Sequence, residues 1–123
     1  MLTIKAYVSN SKIHRMGCFT DVDIKKDTIV WMYSVEETYD KPISYLEKWG
    51  WFDSLIDMYV YPMDCARYIN HTEDANTYED NGMMKAKRDI KAGEEITENY
   101  KDYMSEHDIQ KHLGGIIKKK ETL

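Results

Sequence analysis

A chain of 123 residues that is 42% hydrophobic and 32% charged suits one folded domain with a core of its own, not a disordered segment. Its formal net charge of −5 argues against sequence-independent nucleic-acid binding, which needs a basic face, and favours a basic partner such as a lysine-rich tail, although mild acidity also serves solubility alone. Cys18 and Cys65 form no C-x-x-C pair and share no metal-ligand spacing with the four histidines, and no apolar run is long enough for a bilayer, so the expectation is reduced thiols, no metal, no membrane contact and an intracellular location.

The predicted elements are short. Thr3 to Val8 alternates and reads as a strand, closed by a turn at Asn10-Ser11. Cys18 to Ile24 alternates weakly and leads to the turn Lys25-Lys26-Asp27. Thr28 to Tyr33, TIVWMY, is β-branched and aromatic and is the best strand in the chain. Pro42 is placed to open a short helix carrying Tyr45, Leu46 and Trp49. Met58 to Tyr61 reads as a strand stopped by Pro62, and Asp64 to Ile69 as a single helical turn. Asn76–Glu79 and Met83–Lys87 flank Asp80-Asn81-Gly82, a hairpin signal because Asn and Gly tolerate positive φ. Lys91-Ala92-Gly93 is a turn before a strand over Glu95–Thr97. Ser105 to Leu113 reads as a helix with Ser105 as N-cap and Gly114-Gly115 as its stop. The sum is an α+β protein, mainly β, in a single domain.

Three stretches carry chemistry. The first, Ser11 to Phe19, is a turn containing Gly17 that leads into a strand, where backbone can approach a ligand closely. The second, Ala66 to Asn76, sets Asn70 beside His71 in a polar loop and supplies donors and acceptors. The third, Gly93 to Tyr100, ends a strand on a phenol. Each alone is compatible with an ordinary turn or surface strand. Ten tyrosines and three tryptophans suit core packing, and gathered in one pocket they would line a channel for a cationic side chain.

Read in order as MGCF, RYINHTEDAN and GEEITENY, these stretches resemble the SET-domain family of protein-lysine methyltransferases, in its small free-standing viral or microbial form. The resemblance runs from about Lys5 to Tyr100. It implies the SET fold, with small curved sheets and a knot-like crossing of the Asn-His segment with the strand ending at Tyr100. It implies a SAM-dependent protein-lysine N-methyltransferase, with S-adenosylmethionine (SAM) entering from one face, peptide from the other, and S-adenosylhomocysteine as product. By that resemblance, Tyr100 and Tyr33 are catalytic. Arg15, Met16, Gly17, Asn70 and His71 bind the cofactor, and Tyr33, Tyr78 and Glu98 line the substrate channel.

The chain lacks zinc-binding cysteine-rich flanks, so residues 101–123 are expected to close the groove in their place, with Tyr103 or Met104 over the adenine. Glu36, Glu37, Glu73, Asp74, Glu79 and Asp80 either rim a groove for a basic peptide or are solvated turn residues. Two departures from the family pattern matter. Arg15 stands where many members have glycine, so its backbone is expected at φ < 0. Glu98 stands where many have Phe or Tyr, and would attract a lysine cation, hold it protonated, or face solvent. These departures motivate an alternative, a catalytically impaired module that binds SAM or a peptide. The expected partner is a lysine-containing basic protein, histone or other, and a homodimer would complete the groove.

Overall fold

The computed structural model describes residues 1–111. Its first sheet has four strands in the order β1 (Ala6–Asn10), β2 (Met16–Thr20), β10 (Glu95–Glu98) and β7 (Asn70–His71). A second sheet orders β3 (Ile29–Trp31), β9 (Met83–Ala86) and β8 (Thr77–Asp80), and a third β4 (Thr38–Tyr39), β6 (Met58–Val60) and β5 (Trp51–Asp53). Four 3-10 turns connect them: η1 (Val35–Glu37), η2 (Ser44–Trp49), η3 (Cys65–Tyr68) and η4 (Tyr100–Asp102). A helix begins at residue 106. Several small sheets with few helices match the expected fold class.

Turn chemistry keeps the strands short. Asn81 and Gly82 lie at φ 52° and 85°, the conformation a two-residue hairpin needs, and β8 pairs with β9 across them. Asp27 at φ 68° and Gly93 at φ 92° make the other two predicted turns. Ile24, Val30, Ile90 and Ile96 are at most 3% exposed and anchor the shared core, each contributing roughly 1.5–3 kcal/mol of transfer free energy.

Several boundaries differ from the sequence reading. The first strand begins at Ala6, three residues later than expected, because it pairs with β2 through Val8 opposite Cys18. Ile24 makes only an isolated bridge to Ile90. The helix after Pro42 is the 3-10 turn η2, which buries none of its residues. Strands β5 and β7 were not legible, being two or three residues long and defined by their partners. The Ser105 cap is present: its hydroxyl accepts from the Asp108 N–H at 3.2 Å. The expected stop at Gly114-Gly115, and residues 112–123 of the expected closing segment, lie outside the described residues.

The pairing that matters most is the parallel one. Asn70 lies opposite Thr97 and His71 opposite Glu98, so the second and third motifs run side by side. Asn76 reinforces this junction. Its side chain accepts from the Thr97 N–H at 2.9 Å and donates to the Glu95 carbonyl at 2.8 Å, standing in for a missing strand residue.

Candidate active site

Asn70 organises the first motif. Its Nδ2 lies 3.0 Å from each of three acceptors, the carbonyls of His14 and Met16 and Oε2 of Glu95. Two N–H groups cannot serve three acceptors singly, so one is shared. Glu95 completes the clamp by accepting from the Ser11 hydroxyl at 2.7 Å. Gly17 allows its approach: a Cβ there would lie 2.4 Å from Glu95 Oε2. The sequence reading missed Glu95. Its signal was the alternation of β10, which turns Glu95 to the face opposite Ile96.

The loop so held borders a groove of about 290 Å³ lined by His14, Arg15, Met16, Lys48, Trp49, Arg67, Tyr68, Ile69, Asn70 and Tyr100. The Lys48 ammonium and the Arg67 guanidinium lie over the Trp49 ring at 4.5 and 4.9 Å. Arg15 departs from expectation. Its φ is 44°, in the left-handed region that favours glycine, because the loop must reverse between Ser11 and β2, with the Ser11 N–H donating to the Arg15 carbonyl at 2.8 Å. Gly17 itself is buried in β2 against Glu95 and does not line the groove.

On another side lies a narrow, nearly filled cleft of about 10 Å³, lined by Trp31, Tyr33, Trp51 and Tyr103 together with the carboxylates of Asp53, Glu79 and Glu98. The aromatic rings pack against one another: Trp31 edge to face on Tyr33 at 5.2 Å, and Trp51 on Tyr103 at 4.9 Å with the rings tilted by 60°. Tyr33 donates its hydroxyl to Asp53 Oδ2 at 2.7 Å, and the Trp51 indole N–H donates to the same oxygen at 3.1 Å. Burial first, then the Asp53 hydrogen bond, push the Tyr33 phenol up, so it stays protonated.

A small pocket of about 20 Å³, the passage, shares Trp49, Arg67, Ile69 and Tyr100 with the groove, and Trp51, Pro62, Ala66, Ile69 and Glu98 with the cleft. The walls of the groove and of the cleft therefore meet at this small pocket, with Tyr100 on the groove side and Glu98 on the cleft side. Tyr100 is 9% exposed and donates its hydroxyl to the Ile69 carbonyl at 2.7 Å. Its backbone N–H donates to His71 Nδ1 at 3.0 Å, with the two rings 5.1 Å apart. Burial, and then the Glu98 charge, push the Tyr100 phenol up. Burial pulls the His71 imidazole down from its usual 6.5, and Lys101 adds to this while Glu73 opposes it.

Glu98 does not face solvent. It is 8% exposed and accepts a short hydrogen bond from the Tyr103 hydroxyl. Tyr103 lines the aromatic cleft and is not among the groove's lining residues, because its ring packs on Trp51 and its hydroxyl reaches Glu98. Met104 lines the passage. His71 braces Tyr100 and is not among the groove's lining residues. Tyr78 is not brought to the channel. It alternates with Glu79 along β8, so when Glu79 faces the cleft Tyr78 faces away, and its hydroxyl donates to Asp27 at 2.8 Å. Of the acidic residues expected at a rim, Glu37 is buried, with its Oε2 accepting from the Met63 N–H at 2.8 Å. Glu73 and Asp80 pair with Lys101 and Lys85.

No curated protein sequence shows significant similarity to the chain. Its fold is similar to solved structures. One is a Plasmodium falciparum chain named as a candidate histone methyltransferase, at TM-score 0.57 and 18% identity over 80% of this chain and 95% of that one. Two others are Chaetomium thermophilum Polycomb repressive complex 2 structures. One of them, autoinhibited and bound to S-adenosylmethionine, matches at TM-score 0.63 and 19% identity over 96% of this chain. The other, without ligand and carrying two substitutions in its Ezh2 subunit, matches at TM-score 0.61 and 24% identity over 84% of this chain. The chain spans only 16% and 17% of those two Polycomb chains. The SET domain profile matches residues 15–101, most of the length and all three motifs of the site just described, and the chain belongs to the SET domain family.

Proposed function

We propose that the chain is an S-adenosylmethionine-dependent methyltransferase acting on the side-chain amine of lysine in a basic protein. The observation that carries this reading is the pair of differently lined openings whose walls meet at a small pocket bordered by Tyr100 and Glu98. At about 290 Å³ the groove lies at the lower edge of the range of small-molecule sites, about 300–1,000 Å³. It suits the cofactor in chemistry: Arg15 and Lys48 favour a carboxylate, and Tyr68 offers a face for a base. When bound, S-adenosylmethionine supplies an electrophilic methyl group on a sulfonium. The cleft suits a lysine: its aromatic walls match the aliphatic stem, and its carboxylates attract the cation.

The residues then work by position. Asn70 and Glu95 fix the groove loop, so little ordering remains to be done on binding. Trp31, Trp51 and Tyr103 exclude water around the amine and hold its approach to one line, which recovers barrier through proximity. Tyr100, with its hydroxyl hydrogen committed to Ile69, offers its oxygen as acceptor where the passage meets the groove. A neutral phenol oxygen there can accept weak C–H hydrogen bonds from a polarised methyl and orient the amine.

The test is incubation with methyl-labelled S-adenosylmethionine and a panel of histones, ribosomal proteins and whole lysate, beside Tyr100→Phe. Label on lysine that disappears in the control establishes the reading; absence of label refutes it for that panel, and absence of cofactor binding by calorimetry refutes it outright. A module that binds without transferring draws support from one observation, the carboxylate of Glu98 among the aromatic rings, and would show binding without label.

A further inference from the structure

Resting on that reading, we propose that Glu98 is the residue that takes the proton from the incoming lysine ammonium. Three carboxylates line the aromatic cleft, and they are not equivalent. Asp53 is fully engaged: Oδ2 accepts from Tyr33 and Trp51, and Oδ1 accepts from the Leu55 N–H at 3.0 Å. Glu79 accepts from the Gly82 N–H at 2.6 Å and lines the cleft alone. Among the described residues that line both the cleft and the passage, Glu98 is the only one with a titratable side chain. Tyr103 occupies Oε1, and no hydrogen bond from a described residue occupies Oε2.

A lysine that reaches the passage must pass this carboxylate. The proton moves from the ammonium nitrogen to Oε2. The N–H bond breaks with its electron pair left on nitrogen, and the carboxylate becomes a carboxylic acid. A neutral amine then faces the end of the passage at Tyr100. The proton returns to solvent when the cleft empties, so no further reactant is needed.

The surroundings suit this role. Burial lifts the Glu98 carboxyl to about 8, with the Tyr103 hydrogen bond opposing and the Asp102 charge adding. Lysine in water titrates at about 10.4, so the transfer spans about 2 units, against about 6 for an ordinary carboxylate. Tyr103, Tyr100 and Asp102 bear on the group from the η4 segment, Asp53 from β5, Glu79 from β8, Tyr33 from the end of β3, Cys18 from β2, and Arg67 from η3 across the passage. Arg67 is held off by its own partners, the Trp49 ring and the Pro62 carbonyl at 3.0 Å.

The experiment follows single-turnover label transfer to a lysine peptide between about pH 6 and 10 in the wild type, Glu98→Gln and Tyr103→Phe. It is paired with carbon-13 carboxyl NMR titration of the same proteins and with S-adenosylmethionine affinity by calorimetry. In the wild type, the rate levels off above about pH 8 and one carboxyl titrates there. Glu98→Gln binds the cofactor normally, loses that titration and is about tenfold slower at pH 8, and its rate keeps rising toward the pKa of free lysine. Tyr103→Phe moves both the carboxyl titration and the rate profile to higher pH, because a hydrogen bond that favours the charged form is gone. If Glu98→Gln matches the wild type at every pH while label still reaches lysine, the inference falls and the methyltransferase reading stands. If no carboxyl titrates above about pH 6, the inference falls whatever the turnover. If the wild type labels no lysine, both fall together.

Discussion

The backbone N–H of Tyr100 donates to Nδ1 of His71 at 3.0 Å, across 29 residues of chain. An acceptor at Nδ1 requires an imidazole that is unprotonated there, with its hydrogen on Nε2. Burial pulls the ring below its usual 6.5 in the folded protein. The unfolded chain therefore binds more protons just below that value, so the stabilisation is present above it and is lost as pH falls through the folded value. Because Glu98 acts in the opposite sense over the same range, the His71 contribution is read as a difference. The urea midpoint of the wild type, relative to that of a His71 variant, should be lower at about pH 5 than at about pH 7.5. His71→Asn, whose side-chain oxygen can accept the same bond, should lose that part of the pH dependence. An unchanged slope in the variant would mean that His71 is not the group responsible.

Asn70 is the hub of the groove loop, and its loss should be felt in both stability and binding. Asn70→Ala removes the amide that donates to the His14 and Met16 carbonyls and to Glu95. The cost should be about 1–3 kcal/mol, read from chemical denaturation. Cofactor affinity should fall by about tenfold or more, because the loop must then be ordered at the moment of binding. Calorimetry of the purified variant checks this.

Arg15 carries backbone strain at φ 44°. Arg15→Gly should therefore stabilise the protein, or at worst leave it unchanged, since the left-handed region costs an L-residue about 1–2 kcal/mol and glycine loses about 1 kcal/mol of that gain to entropy in the unfolded chain. Arg15→Ala keeps the strain and should give no gain. The difference between the two variants, measured by denaturant midpoint, isolates the backbone from the loss of charge.

Gly82 is fixed by two constraints at once. Its φ is 85°, and a Cβ would lie 2.5 Å from the Tyr33 ring. Gly82→Ala should destabilise by roughly 2–4 kcal/mol, combining the conformational penalty with overpacking. It should also shift Tyr33 from Asp53, which tyrosine fluorescence or ring NMR signals would report.

Glu98 makes stability depend on pH in the opposite sense to His71. Its carboxyl is raised from 4.5 to about 8, so the folded state holds a proton that the unfolded chain releases. That stability is fully present below 4.5 and declines as pH rises to about 8, by at most about 1.4 kcal/mol per unit. Glu98→Gln should abolish the decline and be more stable than the wild type above about pH 8, with little difference at about pH 4. Parallel urea titrations at the two pH values decide it.

Much of this protein was determined by the sequence alone. The turns at Asn81-Gly82, Asp27 and Gly93, the Ser105 cap, the β-dominated class and the three motifs all follow from local rules of φ, capping and alternation acting over a few residues. What only the tertiary structure decided involves contacts between distant segments. The two-residue strand β7 exists because β10 runs beside it, Arg15 is forced to positive φ by the reversal into β2, and Glu95 becomes a clamp only once Asn70 and Ser11 arrive. Tyr103 and Tyr78 show the same limit. Both were plausible site residues by position, yet the packing of Trp51 drew one into the cleft, and strand alternation turned the other toward Asp27. Local propensity sets what a residue can do, but its partners, and hence its burial and protonation, are set by which segments the fold brings against it.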